Sequence, residues 1–461
     1  MLRLFYMILF LVFCHQAKAW EDHAMLTRIV LNDWSDKDSS MSAYLNQAVK
    51  LESLESFLTT TKTTLPGTLL QIEQWARKNE QGYQALPDEL VYQPLQSGCE
   101  NNIVKCFMAS LRINPDVPLN YIVYDPGYYY SQQQGFARLI DSGQILPSYI
   151  PVTFNISDFA LIPENGLVKI SDIISTGSMQ PDFGWDTFLY EDSGTSFGKL
   201  YGFGKQPIGN PALPFNSQML FHMSAYHEDP VILTLIPRLQ ENYPEYRAYL
   251  YLNLSRFAAE TNHPYWAAVF LGWGLHYIQD MTQPYHGKIA YGLDTNAVLY
   301  ALSQMAAGNY ISFIELQTLQ TNRHIIIENL VRTIAGSSVD AGLYQGIILN
   351  QGLLDLDADV RMTQCNLDTL YVRNQVSRMT ATTTSPDYQS VLQENLPSSY
   401  IDDPSFHAET IRDYDALFSQ EMTALQRRQF SEAMALPMQW FGANTRNCIR
   451  EIIPVIFRAS S

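Results

Sequence analysis

Residues 262–287, NHPYWAAVFLGWGLHYIQDMTQPYHG, constrain this chain more than any other stretch. Asn262 can cap a helix and Pro264 suits a first turn. The apolar run that follows predicts a buried helix to about Asp280, which Pro284 ends. His276 and Asp280 are four apart, so they project from one face of that helix. His286 lies just past the break and can fold back toward them. Imidazole, carboxylate and imidazole converging in this way are typical metal ligands. On these residues alone, a histidine bonded to an aspartate in a helical core fits equally well. A second pair, His324 and Glu328 in NRHIIIENLVRTI, has the same spacing. Taken alone, it reads more simply as a surface His–Glu pair.

The rest of the chain reads as mainly α. Helical pattern covers 21–34, continues as one amphipathic helix over 41–60, and returns over 240–335 and 413–441. Between about 110 and 182, NYIVYDP, IPVTFNI and GLVKIS look like short strands separated by Pro, Gly and Ser. Residues 183–215 predict a long ordered loop, and TATTTSPDYQS (380–390) is the best linker candidate.

The first 19 residues, MLRLFYMILFLVFCHQAKA, have a basic start, an apolar core and an A-x-A ending. This is the form of a secretory signal peptide, with cleavage before Trp20, and the apolar run is too short to span a bilayer. The chain is therefore expected to be secreted. Lys and Arg number 29 against 46 Asp and Glu, and the formal charge is −17. With no basic run anywhere, nonspecific binding to nucleic acid is not expected. Four of the five cysteines lie beyond the leader: Cys99, Cys106, Cys365 and Cys448. In an oxidising compartment they permit two disulfides. Of three possible connectivities, Cys99–Cys106 with Cys365–Cys448 is the simplest. Cleavage would also expose the Trp20 amine, which with its own carbonyl can chelate a metal beside His23.

LGWGLHYIQDMTQPYH followed by HIIIENLVRTI resembles the zinc-binding core of bacterial zinc-dependent phospholipases C of the alpha-toxin and phosphatidylcholine-cleaving type. That family's pattern is L-G-x-x-x-H-Y-x-x-D-x-x-x-P-x-H, then H-x₃-E on a helix. Its mature chain begins with a zinc-chelating Trp followed by a His, as do Trp20 and His23-Ala24-Met25 here. The secreted phospholipases C of certain Gram-negative intracellular pathogens are the group it most resembles. Two further ligands are expected between the motifs: Asp182 in QPDF, and His222 in FHM before Asp229-Pro230. Asp186 and His227 are the fallbacks. The interval from Asp182 to His222 is well over twice the family's usual spacing. The resemblance covers residues 20–32 and about 180–335, and the C-terminal part does not match the β-sandwich lipid-binding domain of alpha-toxin.

The resemblance implies a helical zinc-dependent phospholipase C/S1–P1 nuclease-like domain, with long irregular insertions containing short strands. The catalytic domain would span 20–379, with an insertion at about 35–175, and a helical extension packed on it would span 380–461. Three zinc ions are implied. One would be held by Asp182, His222, His276 and Asp280, and a second by His286, His324 and Glu328. The third would be held by Trp20, His23 and a bridging Asp280. Asp182 would orient the attacking water, and Phe183 would take the place of the family's choline-facing aromatic. The expected substrate is a phospholipid, phosphatidylcholine foremost, met at a membrane surface by a monomer with no transmembrane segment. The alternative is a secreted single-strand nuclease of the S1/P1 type, whose second-zinc helix usually carries H-x₃-D. A zinc-stabilised binding protein without turnover is a third reading.

Overall fold

The computed structural model describes residues 22–459, apart from 97, 153, 342–343, 362–363, 367–368, 378–382, 384–393, 397, 409–410 and 412. Side chains at 337–348, 399 and 453–459 are likewise not described. The expected leader, Trp20 and most of the linker candidate lie outside the described residues.

The chain is mainly helical: of the described residues 60% are in helices and 4% in strands. The helices that position the site are α1 (His23–Lys37), α2 (Ile170–Gly177), α3 (Pro214–His222), α4 (Pro244–Glu260), α5 (Pro264–Asp280), α6 (Pro284–Gly287), α7 (Thr295–Ala306), α8 (Ile311–Ala341), α9 (Tyr344–Leu353) and α10 (Ala424–Ala459). Among the described residues, no helix is long and apolar enough to cross a membrane.

Helix α5 is the axis of the molecule. Every residue from Tyr265 to Asp280 is buried, as expected of a helix apolar all round. It packs against α4, α2 and α10 together. Two glycines make this enclosure possible. A Cβ on Gly272 would lie 2.6 Å from the Ile174 carbonyl oxygen of α2, and one on Gly274 would lie 2.8 Å from the Leu252 side chain of α4. The G-W-G sequence thus opens one groove for each neighbour. Pro264 occupies the first turn as expected, but the cap position belongs to His263. Asn262 sits one residue earlier with φ 64°, in the tight link from α4.

The strands are short. β1 (Ala48–Lys50) pairs antiparallel with β5 (Leu167–Lys169), while β4 (Phe159–Leu161) lies between β2 (Ile122–Tyr124) and β3 (Ala137–Arg138). Two expectations need correction. Residues 41–60 are not one helix, because β1 interrupts them between Ser39–Leu45 and Leu54–Thr61. IPVTFNI forms no strand among its described residues; the pairing edge falls a few residues later, at Phe159–Leu161. Residues 35–175 also contain the helices Leu65–Asn79 and Ile103–Ser110.

One hydrophobic core holds Leu58, Ile122 and Phe159 together with Tyr251, Trp273, Cys448 and Ile449. The segments before α2 and the C-terminal α10 therefore share apolar packing with the central helices. The disulfides are Cys99–Cys106 and Cys365–Cys448, the second fastening α10 to the segment before it.

Candidate metal centre

The end of α5 is where the polar side chains converge. His276 and Asp280 leave it one turn apart, His222 ends α3, and Asp182 comes from the turn Gln180–Phe183 that follows α2. All four are buried. His222 Nδ1 lies 3.0 Å from Asp280 Oδ2, 3.0 Å from His276 Nε2 and 3.9 Å from Asp182 Oδ1. His276 Nε2 lies 3.4 Å from Asp280 Oδ2 and 3.8 Å from Asp182 Oδ1. Ligands about 2.0–2.1 Å from a tetrahedral ion stand roughly 3.3 Å from one another, so these edges bracket the size of such a site.

The protons of the histidines support the same reading. His276 Nδ1 donates to the Ser178 carbonyl at 2.8 Å, and burial pushes its pKa down to about 4, so Nε2 carries a lone pair toward the cluster. His222 turns Nε2 to Asp186 Oδ2 at 3.3 Å, leaving Nδ1 inward. Burial opposes charge on His222, but its contacts with Asp186 and Asp280 outweigh burial and push its pKa up to about 10. The spot therefore attracts positive charge. Neither oxygen of Asp182 has a hydrogen-bond partner. A fully buried carboxylate without a partner is untenable unless a cation neutralises it. Three acceptors facing one point, with the His222 proton alone among them, fit a metal ion.

His286, His324 and Glu328 form the second group. His286 sits in α6, which Pro284 starts and the Gln283 side chain caps by accepting from the Tyr285 amide. Pro284 thus begins the turn that folds His286 back. His286 Nδ1 donates to the His222 carbonyl at 2.6 Å, and burial lowers its pKa to about 4. Its Nε2 lies 2.9 Å from His324 Nε2 and 3.6 Å from Glu328 Oε1, while His324 Nε2 and Glu328 Oε1 are 2.6 Å apart. Three protein ligands leave room for a fourth partner. The His324–Glu328 pair is buried, so the surface-pair reading does not hold.

The third group is His23, His276 and Asp280. His23 begins α1, where Asp22 caps the helix by accepting from the Met25 amide. Its Nε2 lies 3.0 Å from Asp280 Oδ1, and its Nδ1 donates to Gln279 Oε1 at 2.8 Å. Gln279 in turn donates to Thr27 and Thr445, tying α1, α5 and α10 to one amide. Asp280 thus offers Oδ1 to one group and Oδ2 to another. Burial raises its pKa, but His276, His222 and His23 outweigh this and hold it well below the carboxylate range. Each group could hold a metal ion.

Asp186, the fallback for Asp182, is placed differently. Arg247 donates to its Oδ1 at 2.6 Å and Tyr277 to its Oδ2 at 2.6 Å. Burial opposes its charge, but Arg247, His222 and Tyr277 bring its pKa down to about 2. Asp186 Oδ2 faces His222 Nε2 at 3.3 Å, the position that outer partners of metal-bound histidines take. His227 points elsewhere, with Nε2 3.0 Å from the Arg373 carbonyl. Phe183 is a core residue, stacked on Phe154 at 5.4 Å and edge-on to Phe159, so its expected contact with a ligand is replaced by packing.

Comparison with protein-family models, curated proteins and solved structures finds no match. The functional reading therefore rests on the residues and their geometry.

Proposed function

We propose that this chain is a secreted zinc-dependent phospholipase C, hydrolysing the glycerol-side phosphodiester of phospholipids, phosphatidylcholine foremost, to diacylglycerol and a phosphorylated head group. The observation that carries the reading is the sharing of His276 between adjacent ligand groups, with Asp280 reaching His23 through Oδ1 and His222 through Oδ2, and the His286 group bonded to the His222 carbonyl beside them. The donor set, nitrogen and carboxylate oxygen in groups of three and four, suits zinc. When bound, clustered zinc ions neutralise a phosphodiester and lower the pKa of water toward 7.

In this reading Trp20 completes the His23 group, for three ions in all. Asp182 directs a buried, otherwise unpaired carboxylate at the cluster, where it orients the nucleophilic water and takes up its proton. Asp186 and Gln279 fix the tautomers of His222 and His23. The two disulfides accord with export.

Turnover of phosphatidylcholine and of single-stranded DNA, measured side by side on the mature zinc-loaded protein, tests the proposal. Release of diacylglycerol without DNA cleavage is expected. Cleavage of DNA alone would transfer the site to the nuclease reading, and no turnover of either would leave a binding protein.

A further inference from the structure

Helix α8 carries an apolar face that leads straight to His324. Phe313, Leu316, Gln317, Gln320 and Thr321 lie on the same face as His324, at helical spacing, and all line one cavity. The opposite wall comes from Met219 and Met223, which flank His222, and from Val298, Ala301 and Leu302 of α7. The cavity has a volume of about 120 Å³. It shares Leu302, Phe313 and Gln317 with a second cavity of about 570 Å³, bordered by Met305 and Tyr310. From Phe313 to His324 the face runs about 16 Å at 1.5 Å per residue.

The lining defines the occupant. No Lys or Arg borders either cavity among the described residues, so nothing there would hold the phosphates of a polynucleotide. The one carboxylate beside His324's cavity, Glu228, already accepts from the Asp229 amide at 3.0 Å and the Ala290 amide at 2.8 Å. A peptide would bring backbone N–H and C=O groups into walls with few polar partners. An unbranched hydrocarbon needs none, and methionine walls adapt to its shape. At the outer end Tyr310 and Ile311 are exposed, an aromatic and an aliphatic side chain suited to a lipid surface.

We infer that the channel between α7 and α8 receives one acyl chain of the lipid substrate, with the phosphate end at His324. The inference rests on the phospholipase reading for its substrate, though not for the existence of the channel. One wall of the site is thereby an apolar sleeve that admits long-chain lipids.

Fluorescence titration of the zinc-loaded protein with cis-parinaric acid, a long-chain fatty acid that brightens in apolar surroundings, tests it. Wild type is expected to bind the probe and release it to long-chain phosphatidylcholine. Ala301→Phe, which fills the channel, should weaken binding tenfold or more. If that variant does not fold, Leu316→Gln makes the wall polar with little change of volume and should weaken binding likewise. Leu425→Ala, on the exposed face of α10, should bind as wild type does. No binding by wild type, or wild-type binding by both folded channel variants, would overturn the inference. Probe binding lost in the variants of a protein that hydrolyses no phospholipid would keep the channel and remove the phospholipase. Phospholipid hydrolysis with probe binding untouched by the variants would do the reverse.

Discussion

Asp182 and Asp186 stand four residues apart, both fully buried, and only Asp186 is hydrogen-bonded: Arg247 and Tyr277 hold its two oxygens, while Asp182 has only His222 and His276 at 3.8–3.9 Å and no hydrogen-bond partner. One aspartate is built into the scaffold and the other is left for a cation.

The two are therefore expected to fail differently. Asp182→Asn should lower metal content and cut turnover on the order of a hundredfold. Its metal-free form should melt no lower than metal-free wild type, because it loses a buried charge that no hydrogen bond holds. Asp186→Asn leaves the buried Arg247 without its counter-charge and should cost about 3–5 kcal/mol of stability in denaturant unfolding. The opposite pattern would exchange the roles.

Asp280 serves two groups where His23 serves one. Asp280→Asn should therefore lose more bound metal per chain than His23→Ala, measured by elemental analysis of folded protein. Equal losses would contradict the assignment of Oδ1 and Oδ2 to different groups.

Gly272→Ala should destabilise by about 1–3 kcal/mol, since its Cβ would press on the Ile174 carbonyl and push α2 from α5. Because α5 carries His276 and Asp280, metal affinity should weaken with it. Stability and metal titration on one preparation read both effects, and an unchanged protein would refute the close approach.

Away from the centre, burial and the neighbouring Glu80 raise the pKa of Glu245 to about 8. Its folded-state pKa lies above the ordinary value of 4.5, so the fold favours the protonated acid. The stability this contributes is present at low pH and is lost as pH rises through about 8. Glu245→Gln should accordingly show a smaller fall in stability between pH 5 and pH 8 than wild type, by urea unfolding. A fall as steep as wild type's would show that Glu245 does not titrate in that interval.

What the sequence revealed divides along physical lines. Helix α5 was legible because it is apolar all round and bounded by prolines, and its His276–Asp280 spacing survives in any helix. His286 is legible from the proline that starts its turn, whereas His324 and Glu328 read locally as a surface pair and stand out as ligands only through the resemblance. The partners that orient them were not. Gln279 lies next to Asp280 in sequence, but its role depends on Thr27 and Thr445 from distant helices. Arg247 meets Asp186 across 61 positions, and no periodicity signals that pairing. NYIVYDP and GLVKIS each contain a strand, but IPVTFNI has none among its described residues, because a strand of three residues is set by its partner more than by its own composition. The motif around Phe183 suggests a ligand contact, whereas Phe154 and Phe159, more than twenty positions away, pack its ring into the core.

Anomalous diffraction at the zinc edge, from crystals of the correctly processed protein, reads the metal content of these groups position by position. Zinc peaks are expected among Asp182, His222, His276 and Asp280, among His286, His324 and Glu328, and beside His23 at Asp280 Oδ1. Crystals soaked in zinc that show no peak at any of these positions would contradict that expectation.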